Sequence, residues 1–246
     1  MTLKAFSVEW LLRNKMIKKT YFVHYTKLKD RYDSIIQQCE FYKDIEFIKN
    51  HEFITKYDQE YIDNFVYNTL FDESPNTKEN KCVFVSRNSP EMKRNMQGAE
   101  LSNAIKHYEC YKNIANSAYH DDDIFLIFED DIIFKKTPLI LNDTINNVFQ
   151  NDWNIIFCGE GSLLKGNNDT FIFNKELPST NGLCSYVINK KTANIIYNFI
   201  NENKISFPMD HELNYIMYKT NMQTFWSTPI TMHGSICGYF NGTVIR

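Results

Sequence analysis

The stretch Asp123-Ile124-Phe125-Leu126-Ile127-Phe128-Glu129-Asp130-Asp131 decides how this chain is read. Its apolar run, Ile124–Phe128, is strand-sized, and without polar alternation such a strand is covered on both faces. The run ends in three adjacent carboxylates. Carboxylates crowded at the end of a buried strand repel one another and lose hydration, a cost that a cation relieves. Hard oxygens of this kind suit Mg2+ or Mn2+. In open α/β sheets, ligands also gather outside the carboxyl ends of strands. The competing reading is a solvated acidic turn that opens the next element. The other acidic run, Asp121-Asp122-Asp123, precedes the strand and reads as a solvated loop.

Working outward, Trp153–Cys158 and Leu183–Ile188 repeat the continuous apolar pattern. Thr20–Tyr25 (TYFVHY) is a strand rich in β-branched and aromatic residues, and Ile45–Ile48 is a shorter one. Helical spacing lies between these runs. Arg31–Tyr42 groups Ile35, Ile36 and Cys39, Gln97–Ser117 groups Leu101, Ile105, Tyr108 and Ala115, and Lys190–Asn203 groups Ala193, Ile196, Tyr197 and Ile200. Pro208-Met209-Asp210 introduces a helix over Asp210–Tyr218, with Asp210 a chemically apt N-cap. Strand-length runs alternating with helical ones predict an α/β sandwich with a mixed, largely parallel central sheet flanked by helices. Residues 1–18 read as an N-terminal helical extension. Residues 58–96, broken by Ser74-Pro75-Asn76 and Ser89-Pro90, read as a loop-rich insertion with a short strand at Val83–Val85. The 246 residues are about one and a half times the ~150-residue domain norm, so a single domain over 1–246 is expected.

Composition narrows the function classes. Hydrophobic residues are 43% and charged residues 23% of the chain, which excludes a disordered or collagen-like protein. A net charge of −3 advertises no nucleic-acid partner. No apolar run approaches the ~18–20 residues of a transmembrane helix. Glu9 and Trp10 interrupt the N-terminus where a signal peptide needs an apolar core. A soluble, cytoplasmic protein is therefore expected. Six cysteines without a CxxC pair indicate neither a zinc knuckle nor a thioredoxin-type site, but buried free thiols.

Several motifs accompany the Glu129-Asp130-Asp131 strand end in a fixed order. Asp30-Arg31 follows the first strand, and Glu100-Leu101-Ser102 with Lys106-His107 lies on the helix before the acidic run. After it come Asp152-Trp153 with Gly159, then Ser185-Tyr186-Val187-Ile188, Pro208-Met209-Asp210, and His233-Gly234-Ser235. From about Thr20 to Ser235 this series resembles glycosyltransferase family 25, the lipooligosaccharide-type transferases that also include collagen galactosyltransferases. Two departures stand out: Asn154 occupies a position where the family pattern has an acid after tryptophan, and the region from Asp58 to Met96 aligns with nothing in the family.

The resemblance implies a GT-A-type nucleotide-binding sandwich and an inverting, metal-dependent transfer of a hexose from a nucleotide sugar, a UDP-sugar first. The acceptor implied is a glycan or a hydroxylated protein. Asp131 is then the leading metal ligand, and His233 a borderline nitrogen ligand that favours Mn2+ over Mg2+. Glu129 and Asp130 would position the ribose or the metal's surroundings. Asp210 is the candidate base that deprotonates the acceptor hydroxyl, with Glu212 as the alternative. Lys106 and His107 are candidates for the diphosphate, against a solvated helix lysine and a core histidine bonded to a backbone carbonyl, and Tyr25 and Arg31 for the base and phosphate, against structural packing and a surface charge. Asn181, Gly182, Ser185 and Glu160 are candidates for the sugar or acceptor pocket. Two other classes stay open: a metal-dependent phosphohydrolase or nucleotidyltransferase, and a non-catalytic glycan-binding or scaffold module on the same fold.

Overall fold

The computed structural model describes residues 17–39, 42, 44–52, 96, 98–135, 153–160, 172–174, 183–235 and 238–240. The expected strand at Val83–Val85, residues 1–16 of the N-terminal extension, nearly all of the 58–96 insertion, and Asn181 and Gly182 lie outside these residues. In chain order the elements are β1 (Ile17–Val23), α1 (Lys29–Gln38), β2 (Ile45–Ile48), α2 (Gly98–Ala115), β3 (Ile124–Glu129) and β4 (Ile132–Phe134). They continue with β5 (Ile155–Glu160), β6 (Ile172–Asn174), β7 (Ser185–Asn189), α3 (Lys190–Asn203), α4 (Met209–Lys219) and β8 (Thr224–His233). Ile17 and Lys18, expected in the helical extension, instead begin β1.

The fold is mixed α/β around one eight-stranded sheet ordered β2-β1-β3-β7-β5-β8-β4, with β6 paired to β8. Three of the pairings are parallel, β1 with β2, β1 with β3, and β5 with β8. Four are antiparallel, β3 with β7, β5 with β7, β4 with β8, and β6 with β8. The expectation of a largely parallel sheet is thus corrected. Continuous apolar runs report burial on both faces, and burial carries no information about strand direction.

Both faces are indeed covered. Phe125 and Ile127 of β3 join Tyr21, Phe157, Tyr186 and Ile188 in a core beneath α2, α3 and α4. Ile124, Leu126 and Phe128 point the other way, into a second core with Phe22, Ile35 of α1, Ile156 and Val187. Helix α3 forms as its sequence predicts: Asn189 caps it by accepting from the Thr192 N–H at 2.8 Å, and Thr192, Ala193, Ile196 and Ile200 make its buried stripe.

The sheet must curl. Only Asp130 and Asp131 separate β3 from β4, so Glu129 and Ile132 lie within the ~11 Å that three peptide units span. Yet β4 stands four places from β3 in the strand order, about 19 Å across a flat sheet. Curling closes that gap. It brings the end of β8, which pairs with β4 through Ile132 and His233, next to the carboxyl end of β3. Among the described residues no helix is long and apolar enough to cross a membrane.

Candidate functional site

Because β1 and β3 run parallel with Val23 opposite Glu129, their carboxyl ends lie side by side. His24 and Tyr25 therefore emerge next to Asp130 and Asp131. Asp130 is buried and both of its oxygens are committed. Oδ2 accepts from the Tyr25 N–H at 2.9 Å and lies 3.0 Å from His24 Nδ1, while Oδ1 accepts from Arg31 at 2.7 Å. Burial alone would raise this carboxyl, but His24, Arg31 and the Tyr25 N–H together hold it below the usual range. Asp130 thus acts as the internal anchor of the strand ends. Arg31, expected at the phosphate, is itself mostly buried and spends its guanidinium on Asp130 and on Ser235 Oγ at 3.2 Å.

Asp131 has a different environment. Its Oδ2 accepts from Ser235 Oγ at 2.9 Å and lies 3.4 Å from His233 Nε2. Its Oδ1 is buried without a hydrogen-bond partner among the described residues. Burial and the neighbouring Glu129 charge push the Asp131 carboxyl up, against the pull of His233 and Arg31. Glu129 accepts from Asn103 Nδ2 at 2.9 Å and faces His107 Nε2 at 3.6 Å. Burial raises its carboxyl too, yet His107, Asn103 and His233 outweigh that and hold it below the usual range. One donor atom each from Glu129, Asp131 and His233 lies within 4.8 Å of the others. Two carboxylates and an imidazole at that spacing form a donor set able to take a divalent cation.

His233 ends strand β8, not a loop. Its place is pinned by the Gly234 N–H, which donates to the Asp131 carbonyl at 2.5 Å. A Cβ on Gly234 would lie 2.6 Å from the Phe240 ring and 3.0 Å from that carbonyl, so only glycine allows the approach.

Lys106 joins this end of the sheet from α2. It donates to the His24 carbonyl at 2.6 Å and stands 5.7 Å from the centre of the half-buried Tyr25 ring. Burial lowers its ammonium from the ordinary 10.5 to about 8, against the charges of Glu52 and Asp130. His107, read either as a diphosphate contact or as a core histidine, takes the core position. It is wholly buried behind Glu129, with Nδ1 2.8 Å from Tyr186 Oη. Helical geometry turns adjacent residues about 100° apart, so Lys106 and His107 cannot serve one surface in the same way.

Ser185 is also corrected. It is buried, and its Oγ lies 2.7 Å from Thr231 Oγ1, reaching past β5 where Gly159 has no side chain. A Cβ on Gly159 would lie 2.2 Å from Cys184 Sγ and 3.1 Å from Ser185 Oγ. Glu160 is the last residue of β5. Asn154 uses its amide structurally, accepting from the Gln223 N–H at 2.9 Å and donating to Thr192 Oγ1 at 3.1 Å.

Helix α4 starts one residue earlier than expected, with Pro208 at the N-cap and Asp210 inside the first turn. Asp210 is partly exposed, and its Oδ1 accepts from the His211 N–H at 2.9 Å. Glu212 is wholly buried, and its Oε2 accepts from the N–H groups of Ser206 and Phe207 at 2.8 and 3.1 Å. A carboxylate without exposed surface cannot meet an acceptor hydroxyl, so Glu212 is a helix-start clamp and not the alternative base.

The structure therefore gathers Tyr25, Arg31, Lys106, Glu129, Asp130, Asp131 and His233 at one end of the sheet. It adds His24, Asn103 and Ser235, to which sequence reasoning gave no role in the site. Asn103 falls one turn before His107 on the same helix, a spacing that could have pointed to it. The four described cysteines, Cys39, Cys110, Cys158 and Cys184, are buried free thiols as expected. No protein-family model matches this chain, and comparison with curated proteins finds no match.

Proposed function

We propose that this protein is a metal-dependent, inverting glycosyltransferase of GT-A type that moves a hexose from a nucleotide sugar to a glycan or hydroxylated acceptor. The observation that carries the reading is the Glu129–Asp131–His233 cluster, in which Asp131 Oδ1 is buried with no hydrogen-bond partner among the described residues. The ordered motifs that resemble glycosyltransferase family 25 supply the reaction class. Glu129, Asp131 and His233 would hold the cation, whose positive charge offsets the charge developing on a nucleoside diphosphate leaving group. Tyr25, half-buried beside the ends of β1 and β3, would meet the nucleotide by its ring, and the buried Lys106 would hold the His24 carbonyl behind it. Arg31 and Asp130 would hold the strand ends in place, and Asp210 would take the acceptor proton.

The test is thermal-shift and calorimetric titration with UDP, GDP and CMP, each with and without Mn2+. UDP is expected to bind only with the cation, and Asp131→Asn is expected to abolish that dependence while the chain stays folded. Equal UDP affinity in the wild type and Asp131→Asn, unaffected by EDTA, sinks the reading. Preference for another nucleotide moves the donor class, and cation-dependent hydrolysis of phosphate esters favours a phosphohydrolase.

A further inference from the structure

Beneath Glu129 the helix–sheet seam holds a row of polar groups where an apolar contact would be ordinary. His107 and Tyr111 lie one turn apart on α2, and Tyr186 rises from β7, opposite Ile127 of β3. All three are fully buried. Tyr111 Oη lies 2.8 Å from Tyr186 Oη, Tyr186 Oη lies 2.8 Å from His107 Nδ1, and His107 Nε2 faces Glu129 Oε1 at 3.6 Å. His107 Nε2 is the one member left buried without a hydrogen bond among the described residues.

The direction of this row follows from donor and acceptor chemistry. An ionised carboxylate only accepts, so the ring nitrogen that faces Glu129 carries the proton. The Nε2–H tautomer of His107 presents a lone pair at Nδ1, which accepts from the Tyr186 hydroxyl. The Tyr186 oxygen in turn accepts from Tyr111. All three protons point toward Glu129, and such aligned bonds polarise one another in a low dielectric. Asn103 Nδ2 holds the same Glu129 oxygen at 2.9 Å. The other Glu129 oxygen has no hydrogen bond among the described residues.

We propose that the buried chain Tyr111–Tyr186–His107 is a positioning device for Glu129. It fixes the tautomer and orientation of His107, so that Nε2–H faces, at 3.6 Å, the carboxylate oxygen that Asn103 holds, and the other oxygen is presented to a divalent cation shared with Asp131 and His233. The inference rests on the cation reading of the preceding section. It assigns His107 to holding a ligand from behind, in place of contact with the diphosphate.

The experiment measures Mn2+ affinity of the full chain, by manganese electron paramagnetic resonance, well below its unfolding temperature. His107→Asn keeps a polar group near Nδ1 but withdraws the donor from Glu129, and it is expected to weaken Mn2+ binding about 10–100-fold, the range for outer partners of metal ligands. His107→Gln places an amide nitrogen near the Nε2 position and is expected to stay within about threefold of the wild type. Tyr186→Phe and the milder Tyr111→Phe are expected to fall between these limits. In the wild type, 15N chemical shifts of the His107 ring are expected to show the Nε2–H tautomer, a readout that needs neither metal nor a mutant. An Nδ1–H tautomer overturns the chain. So does a wild type that binds Mn2+ through Asp131 while every chain variant matches it and loses only thermal stability. A wild type that binds no Mn2+ overturns the cation reading and this inference with it.

Discussion

The Lys106 ammonium is nearly wholly buried, donates to the His24 carbonyl and lies 4.0 Å from Glu52 Oε1. Lost hydration outweighs the charges of Glu52 and Asp130, so its folded pKa falls from 10.5 to about 8. The sign of the stability effect follows from proton counts. Between about pH 8 and 10.5 the unfolded chain binds a proton at this site that the folded chain has released, so stability rises with pH across that window. The full span corresponds to about 3 kcal/mol. Lys106→Met removes the titrating group, and the stability gap between wild type and variant is expected to widen in favour of the wild type from pH 8 to 10.5. Urea denaturation at half-unit pH intervals checks this. A gap independent of pH would show that Lys106 keeps its ordinary proton affinity.

At the start of α4, one turn of helix holds two carboxylates with opposite fates. Pro208 at the N-cap has no N–H to offer, so Glu212 reaches past it to the Ser206 and Phe207 N–H groups. This is the reciprocal half of a capping box shifted toward the preceding loop. Glu212→Ala is expected to cost about 2–3 kcal/mol, because two backbone donors lose a charged acceptor inside the protein. Asp210 points outward from the same turn, where the helix dipole favours its charge by only ~0.3–1 kcal/mol. Asp210→Asn is therefore expected to leave stability and donor affinity nearly unchanged while lowering kcat about 10²–10⁴-fold. Denaturation curves and steady-state kinetics on the pair separate the roles. A Glu212 variant of normal stability, or an Asp210 variant of normal turnover, refutes the corresponding half.

At the scale of the molecule, the candidate cation site ties together the ends of β3 and β8, which are 104 residues apart in sequence and brought together by the curl of the sheet. A ligand held by both ends binds the folded state alone. At a hundredfold excess over its Kd it should add about 2.7 kcal/mol. For a chain of this size that is about 5–10 °C in Tm. Calorimetry with and without saturating Mn2+ is expected to show such a rise. His233→Ala, which removes the β8 contribution, is expected to lose most of it. A rise of equal size in that variant places the cation elsewhere.

Much of the architecture is legible in the chain alone. The run Ile124–Phe128, the repeats at Trp153–Cys158 and Leu183–Ile188, and the helical spacing of Lys190–Asn203 each mark an element that the structure contains. Their signal is local burial, which hydrophobic periodicity reports directly. The acidic strand end at Glu129-Asp130-Asp131 is equally visible as a concentration of charge. What the sequence does not separate is the work of the three neighbours. Asp130 is tied to Arg31 and His24, Glu129 rests on α2, and Asp131 alone keeps a buried oxygen without a hydrogen bond among the described residues. Those differences come from partners 22 to 106 positions away, brought close by strand pairing and by the packing of α2 on the sheet. Strand direction is likewise a tertiary decision, since a strand buried on both faces looks the same from either end. The long strand β8 escaped notice because Pro229 and polar residues interrupt its apolar pattern, and only its pairing with β4 carries His233 to Asp131. Sequence determined which residues could be buried and where charge would collect; the curl of the sheet determined which of those charges meet.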